Sequence, residues 1–229
     1  DMKILIVAAT WMEVKFLTDE LEFFERKSHN YKSYFLAGNK IDVLITGVGA
    51  ILTTFHLTRV LSNKKYHLVI NVGIAASLSP DIEIGEVVNV VSEEFADLGI
   101  EKIDNFLTLF ESGYISSNEF PFEKGLLNAK YINGFSVLKK VRGITTNKSH
   151  GRSSSIDEIK RKFSAQTESM EGAAVFYVCN SLGIDCCQIR GVSNYVEPRD
   201  SSLWDIPLAL ENLKTAVLEV LNQLSVSVV

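Results

Sequence analysis

The chain has 229 residues, 46% of them hydrophobic and 22% charged, which is the composition of a globular protein with a sizeable core and excludes a disordered chain. Its net charge of -5 argues against a nucleic-acid partner, since phosphate binding needs a basic surface. Three cysteines, two of them adjacent (Cys186 and Cys187), provide neither a disulfide framework nor metal-type spacing, so no metal is expected.

Lys3 to Ala9 is a continuous apolar run with a small-residue exit, the mark of a strand buried on both faces. It has no leader-like segment, and no apolar run is as long as a membrane span requires; the expectation is a cytoplasmic protein with no membrane contact. Thr10 can cap a helix whose spacing (Val14, Leu17, Leu21, Phe24) predicts helix to about Glu25. Glu13 sits in its first turn, where it serves either the helix dipole or the mouth of the sheet.

Tyr31 to Ala37 and Lys40 to Thr46 read as a hairpin through Gly38-Asn39. Thr46-Gly47-Val48-Gly49-Ala50 then leads into a helix ending near Leu61. Its two glycines begin a dinucleotide fingerprint, but Leu52 occupies the third glycine position and no acid ends the next strand, so no cofactor is predicted. Leu68 to Ala76 is a second buried strand, and its small exit residues let a planar ligand approach the backbone. Gly85 to Val91 reads as another strand. Glu93 to Lys130 is an aromatic-studded excursion with one short helix near Glu123 to Ala129.

Ser136 to Thr145 is predicted as strand, followed by a polar loop, Thr146 to Arg152, and a short helix from Ile156 to Phe163 opened by Ser155. Glu168-Ser169-Met170-Glu171 precedes a buried helix from Gly172 to Leu182, and Glu171 is placed either to cap it or to face a ligand. The strand Ile184 to Val192 ends in Ser193-Asn194, and ligand crevices in open α/β sheets form at such ends. A last amphipathic helix covers about Asp205 to Leu224. The alternation predicts one α/β domain spanning residues 1–229, with helices on both faces of a central mixed, twisted sheet.

Four segments together resemble one family: the first strand with Glu13, the turn Thr46-Gly47-Val48-Gly49, the strand end Asn71-Val72-Gly73-Ile74-Ala75, and Met170-Glu171-Gly172-Ala173-Ala174 with Arg190-Gly191-Val192-Ser193-Asn194. The chain resembles the nucleoside phosphorylase and nucleosidase superfamily, within it the hydrolytic methylthioadenosine/S-adenosylhomocysteine nucleosidase branch. The resemblance implies a three-layer α/β/α fold and cleavage of a purine nucleoside at its N-glycosidic bond. Phosphorylases of the family bind phosphate with arginines near the first strand and after the third. Here Glu13 stands at the first place, and Glu86 to Leu98 contains no arginine or lysine, so water is the expected co-substrate. Adenine-cleaving members carry aspartate where this chain has Asn194; an amide offers donors as well as an acceptor and suits a 6-oxopurine. The stretch from Arg190 to Asp200 and Trp204-Asp205-Ile206 resembles the futalosine hydrolases, which release hypoxanthine from futalosine in a menaquinone pathway.

The roles implied are residue by residue. Glu13 orients or deprotonates the water, Glu171 holds the ribose hydroxyls, and Asn194, oriented by Ser193, stabilises the departing base. Met170 packs against the sugar or is an ordinary core methionine. Ile74 and Ala75 border the base, and Trp204 either lines the 5′ pocket or is a core indole. His150, Lys148, Arg152 and Arg199 are the candidates for a substrate carboxylate. The family implies a homodimer or larger homo-oligomer. Adenine release from methylthioadenosine, or a non-catalytic nucleoside-binding protein of the same fold, are the competing expectations.

Overall fold

A computed structural model describes residues 2–131, 137–198 and 200–226. The chain begins with β1 (Ile4–Ala8), fully buried because alternate residues feed two different cores. Ile4, Ile6 and Ala8 face one side and Leu5 and Val7 the other, as the two-residue period of a strand requires. Helix α1 (Trp11–Thr18) follows, then β2 (Glu22–Ser28), β3 (Tyr31–Leu36) and β4 (Asn39–Ile45). Helix α2 (Ala50–Leu61) leads to β5 (Leu68–Ser77) and β6 (Val87–Phe95). The excursion holds the short strands β7 (Gly99–Glu101), β8 (Phe106–Thr108) and β9 (Leu127–Asn128). Then come β10 (Lys139–Thr145), α3 (Ser153–Lys162), β11 (Thr167–Ser169), α4 (Gly172–Ser181), β12 (Asp185–Tyr195) and α5 (Ile206–Val226).

The main sheet runs β11-β10-β6-β12-β5-β1-β4-β3-β2, with β9 beside β6. It is mixed: β12 is parallel to β5 and antiparallel to β6. The sheet also closes on itself, because β11 pairs with β10 on one side and antiparallel with β5 on the other. Helices α1 and α5 cover one face through Val14, Leu17, Leu210, Leu213 and Val217. Helices α2 and α4 cover the opposite face through Leu57, Val60, Val175 and Phe176, which completes the three layers. Among the described residues, no helix is long and apolar enough to cross a membrane.

Four expectations need correction. The first helix ends at Thr18, and Glu22 to Ser28 is an edge strand. Leu21 keeps the helical spacing because it packs into the same core, but Phe23 and Phe24 meet Tyr34 and Phe35 edge-on across the strand pair. Residues 123–129 form a turn and β9 in place of a helix: Lys124 and Gly125 have positive φ, and Leu127 is buried against β6. Strand β10 starts at Lys139, the predicted start at Ser136 lying outside the described residues. Helix α3 starts at Ser153, three residues before the predicted Ile156, so Ser155 lies inside it.

Candidate active site

The carboxyl ends of β1, β5 and β12, together with β11 and the start of α4, surround a cavity of about 290 Å³. This is where a mostly parallel sheet leaves a crevice. Leaving aside the basic candidates Lys148, Arg152 and Arg199, nine residues are expected in a site, and eight line it: Glu13, Ile74, Ala75, Met170, Glu171, Ser193, Asn194 and Trp204. The ninth, His150, stands behind the wall, against Glu168, which does line the cavity.

Both alternatives for Glu13 hold at once. Its backbone N–H donates to Thr10 Oγ1, and its Oε2 accepts from Thr10 N at 3.0 Å, which is a capping box. Its Oε1 accepts from Ile74 N at 3.1 Å, which points the carboxylate at the end of β5. Burial raises its pKa; the Arg190 guanidinium opposes the rise and the Glu171 charge adds to it. Gly73 makes this packing feasible, since a Cβ there would stand 2.5 Å from Arg190 Nη1 and 2.6 Å from Glu13 Oε1.

Glu171 does not cap. It immediately precedes the first residue of α4, yet its side chain makes no hydrogen bond to that helix. Instead Oε1 accepts from Gly49 N at 3.0 Å, and Oε2 lies 3.5 Å from Arg190 Nη2. Gly49 has φ +100°, a conformation that side-chain-bearing residues rarely adopt, and this turns its amide toward the carboxylate.

Arg190 lies between the two acids, 2% exposed. Its Nη1 donates to Ile74 O at 3.0 Å and its Nε to Gln188 Oε1 at 3.1 Å, while Nη2 makes no hydrogen bond to the described protein atoms. Gln188 also receives Asn71 Nδ2 at 2.6 Å and donates through Nε2 to Glu93 Oε1 at 2.7 Å. Glu93 accepts a second bond from the Thr145 hydroxyl. Burial pushes the Glu93 carboxyl up to about 7, against the pull of Gln188, Arg190 and Thr145. Arg190, Gln188 and Glu93 were not singled out from the sequence. The signal for the first two is alternation: within the apolar run of β12 both fall on the same face. For Glu93 it is a charge that follows the valine-rich first half of β6 within the same strand.

Ser193 Oγ donates to Asn194 Oδ1 at 2.8 Å, and Asn194 Nδ2 donates to Tyr195 O at 2.9 Å. That leaves one amide hydrogen of Asn194 for a ligand. A bulge in β12 at this point sets both Ser193 and Asn194 on the cavity. Ser193 O also accepts from Asp205 N at 2.8 Å, which anchors the segment carrying Trp204. Lys148 and Arg152 line a separate surface depression with His150, and Arg199 lies outside the described residues. Among the described residues no cluster of His, Cys, Asp and Glu could hold a metal ion.

A family model described as "Phosphorylase superfamily" matches residues 3–222. The chain is 32% identical over 181 residues to the futalosine hydrolase of Streptomyces coelicolor, covering 77% of this chain and 76% of that protein. It is 25% identical to the aminodeoxyfutalosine nucleosidase of Campylobacter jejuni, covering 84% and 86%. The solved futalosine hydrolase of Helicobacter pylori strain 26695 superposes with a TM-score of 0.81 over 97% of this chain and 98% of that one; at 17% identity this likeness speaks for the fold alone.

Proposed function

The chain belongs to the phosphorylase superfamily, and on that premise we propose that it is a nucleosidase that hydrolyses the N-glycosidic bond of futalosine, releasing hypoxanthine in a menaquinone pathway. The observation that carries this reading is the pair of buried carboxylates, Glu13 and Glu171, held on one cavity with Arg190 between them. The whole chain is read as one catalytic domain.

The chemistry follows from charge. Cleavage of C1′–N9 builds positive charge on the ribose, as in glycoside hydrolysis. Glu171, fixed by the Gly49 amide and Arg190, keeps lone pairs for the ribose hydroxyls and places negative charge beneath the developing cation. Glu13, its affinity for a proton raised by burial, takes the proton of the attacking water as the oxygen bonds to C1′. The electron pair of the broken bond passes to the base, where it spreads over the imidazole ring and O6. The remaining N–H of Asn194 can be shared by N7 and O6, two neighbouring acceptors of hypoxanthine. A carboxylate at the Glu13 position repels phosphate, which favours water as the acceptor of the ribosyl group. Met170 contacts the sugar, Ile74 and Ala75 border the base, and Trp204 stacks on the aromatic 5′ extension of futalosine.

Val48 and Met12 line the cavity and are exposed, and exposed Ile51, Leu52 and Phe55 follow Val48 on α2. An apolar patch of this kind beside the site supports a homodimer or larger homo-oligomer. Cys179, Cys186 and Cys187 are free and buried, in keeping with a reducing, cytoplasmic setting. The test is incubation with futalosine in phosphate-free buffer while free hypoxanthine is followed by chromatography. Release at a rate insensitive to added phosphate is expected; no release from folded protein overturns the reading. A monomer by light scattering overturns the oligomer.

A further inference from the structure

The cavity holds a third carboxylate that the steps above do not use. Glu168 lies on β11, where the sheet closes on itself, and it pairs in register with Ala76 of β5. On its other side Ala76 is in register with Asn194 of β12. Residues opposite one another on neighbouring strands present their side chains to the same face. Glu168, Ala76 and Asn194 therefore form one row across three strands, and all three line the cavity. With strands about 4.8 Å apart, the backbones of the two outer residues stand about 10 Å apart with only a methyl group between them. Such a slot suits a flat heterocycle lying over Ala76, with a polar group at each edge.

Glu168 is fixed before any ligand arrives. It is 4% exposed, its Oε1 accepts from His150 N at 3.0 Å, and its Oε2 is bonded to His150 Nδ1 at 2.5 Å. With one bond to each oxygen, a carboxylate keeps a lone pair free on both, and it presents an acceptor at that edge. Asn194 is the matching donor at the other.

We propose that Glu168 is a specificity-determining residue that accepts the N1–H of a 6-oxopurine, while Asn194 donates to its O6 and N7, with His150 as the positioning residue for the carboxylate. The inference rests on the purine nucleosidase reading. Its discrimination is chemical: N1 of hypoxanthine carries a hydrogen, whereas N1 of adenine presents a lone pair that a carboxylate repels. A site with fixed polar groups rejects a ligand of the wrong polarity far more strongly than it rejects a change in size.

The experiment compares base release from futalosine, its 6-amino counterpart and N1-methylated futalosine by the wild type and by Glu168→Gln. Calorimetric binding of free hypoxanthine and adenine runs alongside. The glutamine can donate where the carboxylate cannot, so the hypoxanthine-to-adenine ratio in kcat/KM and in binding should fall by about tenfold or more in the variant. The wild type should lose about tenfold or more on N1-methylated futalosine, an arm that needs no variant to fold. An unchanged ratio in folded Glu168→Gln, or equal handling of the methylated substrate by the wild type, overturns the role of Glu168 alone. No release of any purine by the wild type overturns the hydrolase reading itself, and the binding arm still tests Glu168.

Discussion

The main-chain N–H of Gly49 donates to Glu171 Oε1 at 3.0 Å, joining two residues 122 positions apart. The bond needs Gly49 at φ +100°, and a Cβ on that residue would meet nothing within 4 Å. A Gly49→Ala chain therefore tests backbone conformation without a steric clash. It should lose about 1–2 kcal/mol of stability by denaturant titration, and kcat/KM should drop by about tenfold or more as Glu171 loses its anchor.

Glu13→Gln separates the two duties of that residue. Glutamine at the third helical position still completes a capping box, so unfolding should shift by less than about 1 kcal/mol. Base release should fall by about 10²–10⁴-fold, because an amide cannot take a proton from water. In the wild type, activity should fade as pH drops through a value above the ordinary 4.5 of a glutamate, since burial raises Glu13 and protonation silences it. A pH–rate profile flat down to pH 4.5 contradicts this.

Asn194→Asp keeps an oxygen for the Ser193 hydroxyl but turns the group that faces Tyr195 O from donor to acceptor. The ionised form is repelled by that carbonyl and by O6 of hypoxanthine, whereas the exocyclic amine of adenine can donate to it. Chromatography of the released bases should show hypoxanthine release falling and adenine release rising relative to it.

Glu93 gives a pH signature in stability. Its folded carboxyl titrates at about 7, above the ordinary 4.5, so the folded chain holds a proton that the unfolded chain has released between those values. Stability therefore falls as pH rises through that window, by on the order of a few kcal/mol, and levels off above it. Glu93→Gln carries no such proton. Its melting temperature relative to the wild type should rise between pH 4.5 and 8, and an unchanged difference across that range argues against a neutral Glu93.

Much of this was legible in the residues, for identifiable reasons. Buried strands such as β1 and β5 announce themselves as largely apolar runs, and strand ends mark crevices, so Ile74 and Asn194 could be placed at a mouth from the residues alone, whereas position did not separate a dipole partner from a site residue at Glu13. Glu171 could not be separated from a cap by position alone; only the Gly49 amide, supplied by a distant turn, decides it. The edge strand β2 was hidden because Leu21, just before it, keeps the helical period of Val14 and Leu17 and packs into the same core. Glu93 and Arg190 were hidden because their meaning is relational. Each is a charge in an apolar strand until Gln188 is seen to join them.

The strand β12 sits in the interior of the sheet, between β5 and β6, although it is the last strand of the chain. During synthesis β5 and β6 emerge long before the segment that joins them, so until residues 185–195 leave the ribosome the two halves of the sheet lack their common neighbour. Arg190 and Asn194 arrive on that same strand, and with them the completed cavity. A nascent chain stalled before residue 185 would expose two open strand edges to other chains and have no capacity for catalysis. Assembly of the sheet and the appearance of activity are thus one event, which waits for β12.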